Sequence, residues 1–236
     1  MVYNWLKIIQ NFCLPPICAL CSETALADIA LCSDCYKRLD FLDNSCQRCA
    51  LPLPPASKTG LCGQCIYHPP KYDRCISLFA YEGTIRALVL ALKFNKQLRN
   101  AHLLGQLLAE QIQQCQPVMP DCLVPVPLSR QRIRARSYNQ ALELSRPLER
   151  QLHIPINMKL IKRTRHTPPQ SQMKFAQRAG NLRHAFRLGK AELPEHVAIV
   201  DDVVTSGATV NEMAKLLKKG GVKTVDVWCI ARSIKK

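Results

Sequence analysis

Val197-Ala198-Ile199-Val200-Asp201-Asp202-Val203-Val204-Thr205-Ser206-Gly207-Ala208-Thr209 joins an apolar run to two adjacent carboxylates and then to a small, hydroxyl-rich turn. The apolar residues 197–200 lack polar alternation, which suits a strand covered on both faces in a parallel sheet flanked by helices. Asp201 and Asp202 then fall at the carboxyl end of that strand, the edge where open α/β sheets collect ligands. Thr205, Ser206 and Thr209 offer hydroxyls, and Gly207 lets the backbone approach an anion closely. The helix that follows contributes unpaired N–H groups and the positive end of its dipole. Strand, acid pair, hydroxyl turn and helix, in that order, describe a sugar-phosphate site. The stretch is not a P-loop, because no Gly-Lys-Ser/Thr follows. Nor is it a dinucleotide fingerprint, because it holds a single glycine.

The chain has 236 residues and 13 cysteines, all but Cys229 lying before residue 123, so its two halves differ in chemistry. Length and asymmetry together indicate a small cysteine-rich module over residues 1–72 and a larger α/β domain over 73–236, with 68–71 as a linker. Eight cysteines form four Cys-x-x-Cys pairs: Cys18 and Cys21, Cys32 and Cys35, Cys46 and Cys49, Cys62 and Cys65. The gaps between successive pairs are 10, 10 and 12 residues, which lets each pair sit on a tight knuckle while the intervening hairpins fold back. Two pairs then make one four-sulfur site, although spacing leaves open which pairs combine. Eight thiolates close two sites, so the expectation is two structural Zn²⁺ ions that fold the module. The rival is a disulfide scaffold of a secreted protein. Against it, residues 1–12 carry too short an apolar stretch for a secretory leader, and Cys13-Leu14-Pro15-Pro16 replaces a small-residue cleavage site. That stretch reads as a short amphipathic helix, and His68 reads as a solvated loop histidine rather than a ligand.

Periodicity predicts helices over 85–92, 100–114 and 139–152 and strands over 75–81 and 122–127. Leu103, Leu104, Leu107, Leu108 and Ile112 mark a core-facing stripe. No window approaches the roughly 20 apolar residues of a membrane span. The formal charge is +16. Such a field draws polyanions, nucleic acid and anionic headgroups among them, and equally a small phosphorylated substrate. The charge is concentrated: residues 128–190 hold fifteen Lys and Arg against two Glu. Within that span, residues 128–136 set four arginines at alternate positions in what reads as a loop, an arrangement that repels itself unless an anion sits among them. Residues 162–181, with Pro168 and Pro169 and few apolar side chains, read as a lid loop passing into a short helix.

The segment 197–209 resembles the phosphoribosyl-pyrophosphate (PRPP) signature of type I phosphoribosyltransferases. By that resemblance Asp201 and Asp202 face the ribose hydroxyls, and Thr205, Ser206, Gly207, Ala208 and Thr209 wrap the 5′-phosphate. Leu128, Ser129, Arg130, Arg132, Arg134 and Arg136 then hold the departing pyrophosphate. The resemblance widens to the whole chain. Four cysteine pairs are followed by Val124-Pro125-Val126-Pro127-Leu128, the arginines, and Tyr138-Asn139-Gln140. Arg163 to Gln170, Arg178, Asn181, Phe186 and the acid-pair motif come after. This series resembles the ComF family, in which a double zinc-ribbon module precedes a type I phosphoribosyltransferase domain and which is linked to natural competence in bacteria. The resemblance implies Mg²⁺ carried with PRPP, lid or accessory roles for Asn139, Gln140, Arg163, Gln170, Arg178 and Asn181, and single-stranded DNA as a partner. It further implies a cytoplasmic protein that meets the DNA-uptake machinery or an inner-membrane channel peripherally. One departure stands out: Ser137 occupies the place where the family usually has glycine.

Three functions fit these residues: a DNA-uptake factor that binds PRPP, an Mg²⁺-dependent phosphoribosyltransferase of nucleotide salvage, and a structural adaptor with a vestigial site. Fold alone does not choose among them, and no residue identifies an acceptor.

Overall fold

In this computed structural model residues 17–26, 29–55, 57, 59–115, 118–164 and 185–234 are described. In chain order the elements are α1 (Ser33–Lys37), α2 (Gly63–Tyr67), β1 (Arg74–Ala80), α3 (Gly83–Phe94), α4 (Leu98–Cys115), β2 (Cys122–Pro125), α5 (Arg130–Arg136) and α6 (Gln140–Leu152). They continue with β3 (Ile161–Arg163), β4 (Phe186–Leu188), β5 (His196–Val204), α7 (Ala208–Gly220) and β6 (Thr224–Arg232). Residues 1–16, the expected amphipathic helix among them, lie outside the described residues, as does most of the expected lid.

The apolar run 197–200 is fully buried because parallel strands flank it on both sides, β2 on one and β6 on the other, in a sheet ordered β1, β6, β5, β2. Strand parity divides its side chains between two layers. Val197 and Ile199 share a core with Val210, Met213 and Leu217 of α7. Helices α4 and α6 also pack on the sheet, α4 on β1 and β6 and α6 on β5 and β2. This is the expected parallel sheet flanked by helices, and the stripe from Leu103 to Ile112 is buried as expected. A short antiparallel pair, β3 and β4, stands apart from the main sheet.

One boundary differs in a way that matters for the site. The sequence reading ends the strand at Val200, yet β5 continues to Val204. The nine-residue β6 keeps pairing with it, Asp201 opposite Cys229, Val203 opposite Ala231 and Val204 opposite Arg232. The two carboxylates therefore belong to the last paired part of a strand and point to its two faces.

The chain divides into two compact units, 1–40 and 41–236. The first holds Cys18, Cys21, Cys32 and Cys35, with α1 starting inside the second knuckle and Cys32 as its N-cap. The other four paired cysteines belong to the larger unit, where the knuckle residue Ala50 is part of the sheet core and the N–H of Cys75 donates to the Gln47 carbonyl at 3.2 Å. No helix among the described residues is long and apolar enough to cross a membrane.

Helices α4 and α6 approach closely because Gly105 leaves room. A Cβ there would stand 2.7 Å from the Leu144 carbonyl oxygen and 2.9 Å from Cγ of Pro147. Both obstacles are rigid, one backbone and one a proline ring inside α6. Gly105→Ala is expected to destabilise the larger unit by about 2 kcal/mol, despite alanine's better helix propensity, because overpacking moves a whole helix. The urea midpoint reports it.

Candidate functional site

At the carboxyl edge of the sheet lies a cavity of about 450 Å³, walled by the ends of β5 and β6, the turn 205–209, α5, the start of α6 and the end of α3. Of the expected site residues, Asp201, Asp202, Thr205, Gly207, Ala208, Thr209, Leu128, Arg132, Arg136, Asn139, Gln140 and Arg163 line it. Gln170, Arg178 and Asn181 lie outside the described residues.

The arginine segment is not a loop. Ser129 caps it, its hydroxyl accepting from the Arg132 N–H at 3.4 Å, and residues 130–136 form helix α5. Helical geometry places Arg132 and Arg136, one turn apart, on one face and Arg130 and Arg134 on another. Only the first pair lines the cavity, and Arg130 and Arg134 are exposed. Ser129 and Ser206 are likewise absent from its wall. Ser206 instead accepts from the Ala208 N–H at 3.4 Å, shaping the turn.

Tyr138, Asn139 and Gln140 brace the arginines. The Tyr138 hydroxyl donates to the Leu92 carbonyl, fixing the end of α3. Asn139 caps α6 and donates its amide to the Val126 carbonyl at 3.1 Å. Gln140 accepts from Arg136 at 3.0 Å, and the Arg136 guanidinium lies 5.3 Å from the centre of the Phe94 ring. Ser137 closes α5 in the left-handed region at φ 71°, so the backbone keeps the conformation that suits glycine and serine bears the strain.

Lys93 was not legible in the sequence. It sits in the last turn of α3, where a lysine ordinarily complements the helix dipole, yet its ammonium stands 2.9 Å from Asp202. Only the tertiary contact between the end of α3 and Asp202 of β5 reveals that role. Tyr81 and Phe94 were missed for the same reason.

Charge is crowded here. Burial, and then the charge of Asp202, pushes Asp201 up to about 7. Burial, and then Arg132, pulls Arg163 down to about 10, and burial with Arg136 lowers Arg132. Four cations, Lys93, Arg132, Arg136 and Arg163, face two carboxylates in the wall. In the turn, Gly207 adopts φ 75° and precedes α7 without any side-chain cap. The N–H groups of Thr205, Ser206 and Gly207 donate to no protein acceptor among the described residues. Free N–H groups, a helix N-terminus and surplus positive charge are the features that can hold an anion, and the paired carboxylates beside them can accept from hydroxyls.

The eight paired cysteines gather into two groups, Cys18, Cys21, Cys32 and Cys35, and Cys46, Cys49, Cys62 and Cys65, with all four sulfurs of each within 4.8 Å of one another. The first pair thus combines with the second and the third with the fourth. Cys21 and Cys32 Sγ are 3.6 Å apart, as are Cys49 and Cys62 Sγ. A tetrahedral zinc shell with bonds of about 2.3 Å has edges of about 3.8 Å, so the donor sets fit zinc. Burial raises the Cys46 thiol, but N–H groups of Cys62, Cys49 and Arg48 outweigh it and hold it at about 7. The same opposition leaves Cys18 at about 6. Each group thus holds one thiol poised to ionise, while burial and then the neighbouring sulfurs raise Cys35, and burial raises Cys49.

Comparison with known proteins agrees with both halves. Residues 9–66 match the double zinc ribbon domain and residues 138–236 the phosphoribosyl transferase domain. The chain is 35% identical over 227 residues to the DNA utilization protein YhgH of Escherichia coli K12, covering 94% of this chain and 99% of that one. It is 35% identical over 215 residues to competence protein F of Haemophilus influenzae, covering 88% and 93%. It is also 25% identical over 241 residues to competence protein ComFC of Bacillus subtilis, covering 92% and 95%.

Two substitutions test this geometry. Ser137→Gly is expected to stabilise by about 0.5–1 kcal/mol, a melting shift of about 2 °C, by relieving the positive φ. Asp201 titrates near 7 in the fold against about 3.9 when unfolded, so folding favours its protonated form. The stability this confers is complete below about pH 4 and is lost as pH rises through about 7. Asp201→Asn is therefore expected to melt above the native protein at pH 8, by on the order of 1–2 kcal/mol after solvent screening, with the gap closing towards pH 4.

Proposed function

Because this chain belongs to the ComF family, a double zinc ribbon joined to a phosphoribosyltransferase domain, we propose that it serves the internalisation of transforming single-stranded DNA and that its α/β unit binds PRPP with Mg²⁺ in doing so. The cavity carries this reading. It sets an acid pair, a turn with free N–H groups and three arginines around one space, and PRPP presents ribose hydroxyls, a 5′-phosphate and a pyrophosphate in that relation. Asp201 and Asp202 accept from the 2′- and 3′-hydroxyls. The turn 205–209 holds the 5′-phosphate with its N–H groups and the hydroxyls of Thr205 and Thr209. Arg132, Arg136 and Arg163 face the pyrophosphate. Mg²⁺ would neutralise part of the pyrophosphate charge, with Asp201 and Asp202 the carboxylates of the cavity wall that would face it. Lys93, paired with Asp202 at 2.9 Å, adds a fourth cation to the wall that faces the pyrophosphate.

Turnover is the second reading, favoured by the four cations that line the cavity. A phosphoribosyl transfer builds positive charge at the anomeric carbon as pyrophosphate departs, which calls for positioning and leaving-group stabilisation and needs no covalent nucleophile. The formal charge of +16 suits a role beside DNA phosphates, and we place the protein in the cytoplasm, in peripheral contact with uptake machinery at the inner membrane.

Calorimetric titration of the zinc-loaded protein with PRPP and Mg²⁺ tests the site. Binding is expected, weakened at least about tenfold by Asp201→Ala through loss of charge-assisted hydrogen bonds. Binding of single-stranded DNA is expected to fall steeply between two salt concentrations, as phosphate neutralisation requires. No PRPP binding by the native protein would sink this reading and favour an adaptor.

A further inference from the structure

Behind the phosphate turn lies a second cavity, of about 550 Å³, and Thr205, Gly207, Ala208 and Ser233 line both cavities. Its far side is made by the second four-cysteine group: Cys49, Cys65 and Tyr72 line it. Arg232, the last residue of β6, crosses between these walls and is 6% exposed. Its Nε donates to the Cys49 carbonyl at 2.8 Å. Its Nη1 donates to the Val204 carbonyl at 2.7 Å, to the Thr205 carbonyl, and to the Ser233 carbonyl at 3.2 Å. A buried guanidinium held by backbone carbonyls alone is costly unless it fixes something. In a trans peptide the N–H points opposite to the C=O, so carbonyls of Val204 and Thr205 drawn to Arg232 send the N–H groups of Thr205 and Ser206 away from it. These are donors left free in the phosphate turn.

Two further ties join the same parts. The Lys71 N–H, just after the knuckle, donates to Asn211 Oδ1 in the first turn of α7 at 2.6 Å. Tyr72, 3% exposed, brings its hydroxyl to 3.5 Å from where a Cβ at Gly207 would stand. The geometry points to a coupling between the two sites: zinc held by Cys46, Cys49, Cys62 and Cys65 fixes the Cys49 carbonyl, and Arg232 transmits that position to the phosphate turn. Arg232 is a positioning residue, and the second zinc site sets the affinity for the 5′-phosphate, while the first zinc site, in the other unit, does not. This rests on the PRPP reading above. Linkage requires the converse as well, that PRPP hold the second zinc more tightly by the same factor.

Zinc release to a chromophoric chelator, followed with and without saturating PRPP and Mg²⁺, reads that converse in the native protein. Two zinc ions per chain are expected, with the release of one slowed about 5-fold or more by PRPP and the other unchanged. Cys62→Ser is expected to weaken calorimetric PRPP binding by a similar factor, and Cys21→Ser to leave it as it was. Arg232→Met is expected to keep both zinc ions and the native circular dichroism, bind PRPP about tenfold more weakly, and abolish the effect of PRPP on zinc release. Arg232→Lys restores part of the affinity. Should PRPP bind normally while both ions leave at unchanged rates, or should Arg232→Met bind as the native protein does, the coupling is wrong although the PRPP site stands. Should the native protein bind no PRPP at all, both readings fall together.

Discussion

The pairing of β5 with β6 through to Val204 and Arg232 is the constraint on which the rest of the larger unit depends. Parallel pairing on both sides buries 197–200 and sets the direction in which the strand emerges. Because the ladder continues past the apolar run, Asp201 and Asp202 are held by backbone hydrogen bonds rather than carried on a loop. The turn 205–207 then begins at a fixed height above the sheet. The same pairing brings Arg232 level with the base of that turn, where its guanidinium reaches two carbonyls of the chain leaving β5.

Electrostatics give this frame its chemistry. Four cations and two carboxylates share a cavity wall, and the surplus positive charge is held close by structure: a helix cap at Ser129, a glutamine brace at Gln140 and the Phe94 face. Like charges brought within a turn of each other repel, and an anion between them relieves that repulsion. The raised Asp201 expresses the complementary strain, a buried carboxyl beside a second one.

The two four-cysteine groups have different surroundings although their knuckles look alike in sequence. The first closes a small unit of its own. The second shares core residues with the parallel sheet, through Ala50, and a carbonyl with Arg232. A zinc shell is a stiff anchor because breaking it exposes thiolates and releases the chain on both sides. Placed beneath a turn with no side-chain cap of its own, such an anchor supplies rigidity that the turn lacks.

Much was legible from residues alone. An unalternating apolar run, an acid pair and a hydroxyl turn specify a buried strand, the sheet edge at which it ends and the helix start beyond it, because each is a local rule of spacing and chemistry. Four Cys-x-x-Cys pairs specify two closed metal shells for the same reason, and a leucine stripe specifies a buried helix face. What spacing did not contain was decided by packing. Arginines at alternate positions look equivalent along a line, but a helix turns 100° per residue, so Arg132 and Arg136 meet the cavity and Arg130 and Arg134 meet solvent. Lys93 and Arg232 owe their roles to partners 109 and 183 residues away in the chain, Asp202 and Cys49. No local pattern encodes such contacts: they exist only once the sheet has closed and brought the ends of distant elements to one edge.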